Sequence, residues 1–142
     1  MTAAGQIAGS LGCPLDLEPA FAERHFGYLE GKRMTELTQK DRLEAEAVFS
    51  GSTEICPQHG EALRDATCRV MDALSGLSDN QGNICVVSHG HVIQAVIAAP
   101  VDVDARNLEH YSHLNGAYSI LECTGQVLAV TKWGISTHLL SR

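Results

Sequence analysis

Ile84-Cys85-Val86-Val87-Ser88-His89-Gly90-His91 is the stretch on which the fold turns. Four apolar residues, three of them β-branched, predict a short strand buried on both faces, as in a parallel sheet. Ser88-His89-Gly90 ends that run, and residues 91–99 predict a helix that Pro100 stops. Strand, tight turn and helix in this order put His89 at the carboxyl end of a strand and beside the N-terminus of a helix. Ligands gather there in open α/β sheets, and helix N-terminal N–H groups favour anions. Gly90 has no Cβ to keep an oxyanion from the backbone. His89 is therefore read as a phosphate contact or an acid/base group; the plainer alternative is a histidine that caps the turn. A nucleophile elbow is excluded, because Val87-Ser88-His89-Gly90 does not follow G-x-S-x-G.

Working outward, residues 117–122 and 126–132 are strand-like runs joined through Thr124-Gly125, a hairpin. Upstream, Leu63, Ala66, Thr67, Val70, Leu74 and Leu77 share one stripe while Arg64, Asp65, Arg69 and Asp72 lie off it, which predicts an amphipathic helix. Residues 51–60 carry loop chemistry, residues 32–49 are helix-prone with Met34, Leu37 and Leu43, and residues 22–31 read as an irregular loop. Residues 15–19 read as a short strand or extended link. At the start, Ala3, Ala4, Ile7, Ala8 and Leu11 recur at helical spacing, with Gly12 as the stop and Pro14 beyond it. Helices alternating with strands, then a hairpin, imply an α/β layered domain with a mixed sheet.

The 142 residues make one domain, residues 1–142, with room for one site. A composition 44% hydrophobic and 19% charged excludes a disordered or fibrous chain. The longest uncharged apolar stretch, residues 92–101, is interrupted by Gln94 and Pro100 and falls short of the roughly 20 residues that span a bilayer. The first twelve residues lack the basic and apolar regions of a secretory signal, so a cytoplasmic protein is expected. The net charge of −7, with no Lys/Arg run, argues against nucleic acid and anionic membranes as partners. Five scattered cysteines without a C-x-x-C pair are expected to be reduced, mostly buried thiols.

Seven histidines invite a metal reading, since His89-x-His91 and His110-x-x-His113 offer four nitrogens. No H-E-x-x-H occurs, and two histidines across a strand-to-helix turn need not converge, so no metal is expected. Glu23 lies beside Arg24 and His25, neighbours that hold a carboxylate ionised. As a general acid it needs burial or a nearby phosphate; the alternative is a solvated loop charge.

Three motifs now combine. Ala22-Glu23-Arg24-His25-Phe26-Gly27-Tyr28-Leu29-Glu30-Gly31, then Gly60-Glu61-Ala62-Leu63-Arg64-Asp65, then Val86-Val87-Ser88-His89-Gly90 resemble, in order and spacing, the histidine phosphatase superfamily. The first is similar to the cofactor-dependent phosphoglycerate mutase branch, and Leu114-Asn115-Gly116-Ala117-Tyr118-Ser119-Ile120-Leu121 resembles the approach to a late strand in the phosphatases. The resemblance implies a three-layer αβα domain with a mixed, mostly parallel sheet. It implies hydrolysis or transfer of small phosphate monoesters through a phosphohistidine, without a cofactor. It makes His89 the phosphate-pocket histidine and Glu23 the proton donor to the leaving oxygen. Gly90 and the amide of His91 complete the pocket, while Arg24 and Phe26 match substrate contacts, Phe26 where an aromatic hydroxyl is usual.

The chain departs from the family pattern in having no Arg-His-Gly, the motif of the nucleophile, and neither pocket arginine. Its beginning corresponds to a helix that follows the family's first strand, first helix and second strand. The expectation is that Met1 is an internal methionine of a longer protein, and that these 142 residues alone turn over little or no substrate. His25 and His91 do not match the nucleophile's position. The strand ending at His89 would have an unpaired edge, so a homodimer or a partner chain covering that edge is expected. Two further readings stand beside the enzyme: a binding or assembly subunit for a small phosphorylated metabolite, and a fold recruited to other acid/base chemistry by His89, His91, Glu23 and His110.

Overall fold

The computed structural model describes residues 2–77, 82–98, 113–124 and 127–140. α1 (Ala3–Leu11) begins where Thr2 Oγ1 accepts from Gly5 N at 3.2 Å, and ends at Gly12 in the left-handed conformation. Only Ala8 of this helix is buried. Of the expected link at residues 15–19, residues 15–18 are without regular structure and Pro19 opens a 3-10 turn, Pro19–Phe21. A second such turn, Gly27–Leu29, lies inside the irregular 22–31 stretch.

The helix expected over residues 32–49 is divided. Met34–Glu36 is a separate 3-10 turn, and α2 (Gln39–Phe49) starts only after Thr38, whose Oγ1 accepts from Asp41 N at 3.2 Å. A capping threonine favours a helix start over a helix interior, which explains the break. α2 buries Ala45 and Val48 against Leu29 and Leu37, with Phe26, Tyr28 and Ile55 packed on them.

α3 (Leu63–Gly76) follows the predicted stripe and buries Leu63, Ala66 and Val70. Val70 meets Val92 and Val96 of α4 (Gly90–Ala98), and Phe21, Met71, Leu74, Leu121 and Leu128 close this second core. β1 (Tyr118–Thr124) and β2 (Val127–Ile135) form an antiparallel pair, with Leu121 opposite Val130 and an irregular register between Tyr118 and Leu121. The predicted hairpin is present; Gly125 lies outside the described residues, as do Pro100 and His110.

Two expectations are corrected. Residues 84–87 form no ladder among the described residues, and Ile84, Val86 and Val87 are 50%, 38% and 38% exposed. β-branched residues favour extended backbone, but burial on two faces needs neighbouring strands and a layer on each side. Accordingly the sheet among the described residues is one antiparallel pair, not a mostly parallel one. The five cysteines, expected to be mostly buried, are all exposed thiols; Cys85 shares the uncovered run. Among the described residues, no helix is long and apolar enough to cross a membrane.

Candidate functional site

The turn before α4 is tied to the loop after the Pro19–Phe21 turn: Ser88 Oγ donates to the Phe21 carbonyl at 2.8 Å. The His89 carbonyl accepts from Ile93 N at 2.9 Å and starts α4. This junction brings Glu23 to the N-terminus of α4, although 67 residues separate it from Gly90. There a cleft of about 350 Å³ is lined by Glu23, Gly90, His91, Gln94 and His113. A carboxylate, a Cβ-free helix start and two imidazoles thus share one concavity, which suits a small anion.

Glu23 is half-buried, and its Oε1 accepts from Arg24 N at 2.9 Å. His91 is set by its surroundings: Nε2 lies 3.3 Å from the Phe49 carbonyl, and the ring centroid lies 5.6 Å from that of Phe26 and 6.0 Å from that of Phe49. Phe26 therefore backs His91 and does not itself line the cleft. His89 is exposed and also lies outside the lining.

Arg24 takes a different course. It is 1% exposed, and Nη2 donates to the carbonyls of Ile55 at 3.2 Å and Glu61 at 3.0 Å. Its guanidinium lies 5.5 Å from the Phe26 ring centroid, and Nε and Nη1 have no hydrogen-bond partner among the described residues. Burial pulls its pKa down, while Glu23 and Glu61 pull it up. A guanidinium remains charged in such a setting.

Sequence reasoning gave no site role to Gln94 or Arg69, read His113 only as one of four histidines offered to a metal, and quoted Glu61 only as part of a motif. His113 and Gln94 line the cleft. His113 Nε2 lies 3.1 Å from Ser119 Oγ, which accepts from Gly134 N at 3.0 Å, and the imidazole packs edge-on against Trp133. Arg69, on the polar side of α3, binds Glu61 through both carboxylate oxygens, at 2.8 and 3.0 Å. The helical pattern marks Arg69 only as lying off the apolar stripe. Arg69's hydrogen bonds hold the Glu61 carboxyl below its ordinary pKa, against burial, and Glu61 raises that of Arg69. Among the described residues, no group of three or more His, Cys, Asp or Glu is arranged to hold a metal ion.

The profile of the histidine phosphatase superfamily (branch 1) matches residues 1–136. The adenosylcobalamin/alpha-ribazole phosphatase of Salmonella typhimurium is 29% identical over 116 residues, covering 79% of this chain and 57% of that protein. The Escherichia coli protein of the same name is 28% identical over 111 residues, covering 77% and 55%. The chain therefore spans little more than half the length of these curated relatives. Among solved structures, Bacillus stearothermophilus YhfR is similar with a TM-score of 0.82 at 24% identity, over 94% of this chain and 67% of that one. The alpha-ribazole phosphatase from Shigella flexneri gives 0.72 at 23% identity, over 91% and 65%. At these identities the structural likeness speaks for the fold, and the α/β arrangement agrees with it. The motifs around Glu23, Glu61 and His89 fall inside the matched region, and the chain belongs to the histidine phosphatase superfamily (branch 1).

Proposed function

We propose that this chain handles small phosphate monoesters, with Glu23 as proton donor to the leaving oxygen and the N-terminus of α4 as the phosphate seat. The observation that carries this reading is the shared cleft of Glu23, Gly90 and His91. Backbone donors preset around a phosphate stabilise charge developing on its oxygens. His89 contacts the phosphate from the α4 turn, while Arg24 and Phe26 act from behind the cleft, Arg24 on the loop through the Ile55 and Glu61 carbonyls and Phe26 on the His91 ring. The relatives' names make a phosphate ester of the alpha-ribazole type the first substrate to try. Phosphohistidine chemistry needs a nucleophile, and the Arg-His-Gly that carries it in the family does not occur in these residues. A second reading, a phosphate-metabolite-binding or assembly subunit, rests on the same cleft, which offers a phosphate seat whether or not a nucleophile reaches it.

The three-layer, mostly parallel sheet belongs to the same proposal, as the arrangement completed when residues 84–87 gain strand neighbours, since the described residues by themselves form one antiparallel pair. The exposed run at residues 84–87 is the edge that a second copy or a separate chain covers.

The test is hydrolysis of p-nitrophenyl phosphate by the chain beside Glu23→Gln and His89→Ala, together with inorganic phosphate titration. Turnover that falls by about 10²–10⁴ in Glu23→Gln supports the enzyme reading. Phosphate binding without turnover supports the binding subunit. Neither binding nor turnover in a folded chain sinks both.

A further inference from the structure

We infer that Arg69 and Glu61 are positioning residues for Glu23, a clamp that fixes where its carboxylate stands in the cleft; the inference rests on the role proposed for Glu23. One guanidinium does most of the work. Arg69 Nε and Nη2 donate to Glu61 Oε1 and Oε2, Nη1 donates to the Ala20 carbonyl, and Nη2 also reaches the carbonyls of Ala22 at 2.9 Å and Glu23 at 3.4 Å. The planar fork of an arginine can serve a carboxylate and several carbonyls at once; an ammonium cannot.

Glu61 is held in turn from its own backbone. Its N–H donates to the His25 carbonyl at 2.8 Å, and its carbonyl accepts from Arg24 Nη2 at 3.0 Å. Residues on both sides of Glu23 are thus bonded to one pair. Arg69 hydrogen-bonds Glu23 only through its carbonyl, so the fork's charged donors go to the Glu61 carboxylate, while the Glu23 carboxylate feels that charge at longer range and faces the cleft. Neither Arg69 nor Glu61 lines that cleft. Both act through the loop, and α3 supplies the rigid base, since Val70, next to Arg69, is buried in the α3–α4 core.

The experiment compares Arg69→Lys, Arg69→Met and Glu61→Gln with the unaltered chain by amide hydrogen exchange and by NMR titration with inorganic phosphate. In Arg69→Lys, exchange at the Arg24 amide, which is bonded to Glu23 Oε1, is expected to rise about tenfold or more while the Val70 amide keeps its protection. The phosphate-induced shift at the Glu23 amide is expected to vanish while that at Gly90 stays. Arg69→Met and Glu61→Gln should change both readouts in the same direction. An Arg69→Lys chain indistinguishable from the unaltered one overturns the clamp. So does loss of Val70 protection in step with Arg24 in all three variants, which marks general support of the fold. If phosphate shifts nothing in the unaltered chain, the proposed function fails, and the exchange rates alone decide the clamp.

Discussion

Gly27 and Gly60 meet backbone to backbone: a Cβ built on Gly27 comes within 2.7 Å of Gly60 N, and one built on Gly60 lies 2.7 Å from the His25 carbonyl. The contact sews the loop carrying Glu23 to the loop leading into α3. Tyr28 N donates to the Gln58 carbonyl at 3.0 Å beside it. Both glycines belong to the motifs that carry the family resemblance, and close approach is a physical reason for their being glycine.

Gly27→Ala is expected to cost about 3 kcal/mol or more, because Gly27 has φ 57° and its new Cβ would overlap the Gln58 carbonyl. Gly31→Ala is the control. It has φ 73° but open space around it, so about 1–2 kcal/mol is expected. Urea unfolding of the two variants measures the difference; equal costs would show that the loops do not touch.

Acid should loosen the same region. The Glu61 carboxyl is held below its ordinary value near 4.5 by Arg69, so the pair stabilises the fold fully above that pH and loses its effect as pH falls through the lowered value. Glu61→Gln is expected to be less stable at neutral pH and to lose less stability between about pH 5 and 3. Urea midpoints across that range check the sign, and identical slopes would count against it.

In a single chain with residues 84–87 uncovered, all five thiols are expected to react with a disulfide reagent in native buffer, since all are exposed. A count that reaches five only in denaturant would mean that some are covered, Cys85 first if residues 84–87 pair with another chain.

Gly90→Ala separates fold from function. A Cβ there meets nothing within 4 Å and sits in the first turn of a helix, so stability should stay the same or rise by up to about 1 kcal/mol. Inorganic phosphate binding should weaken roughly tenfold, because the methyl group stands where the anion approaches. Undiminished binding would move the phosphate seat elsewhere.

Much of the local structure was legible in the residues. Gly12 ends α1, the Leu63-Ala66-Val70 stripe faces the core, and the two strand-like runs pair as a hairpin. Of the six expected site residues, Glu23, Gly90 and His91 line one cleft. Arg24, Phe26 and His89 do not: Arg24 is drawn into the Ile55 and Glu61 carbonyls, Phe26 packs edge-on behind His91, and His89 is exposed. A guanidinium beside a carboxylate reads the same on paper whether it turns toward a ligand or toward a backbone carbonyl.

By itself the sequence determined the helices, the hairpin and the family, because caps, apolar periods and motif glycines act over a few residues. Tertiary structure alone decided that Arg69 reaches back 46 residues to the Glu23 carbonyl, that residues 84–87 are uncovered, and that His113 joins the cleft. Burial and long-range hydrogen bonds depend on what lies opposite a side chain, and neighbours in the chain do not specify that.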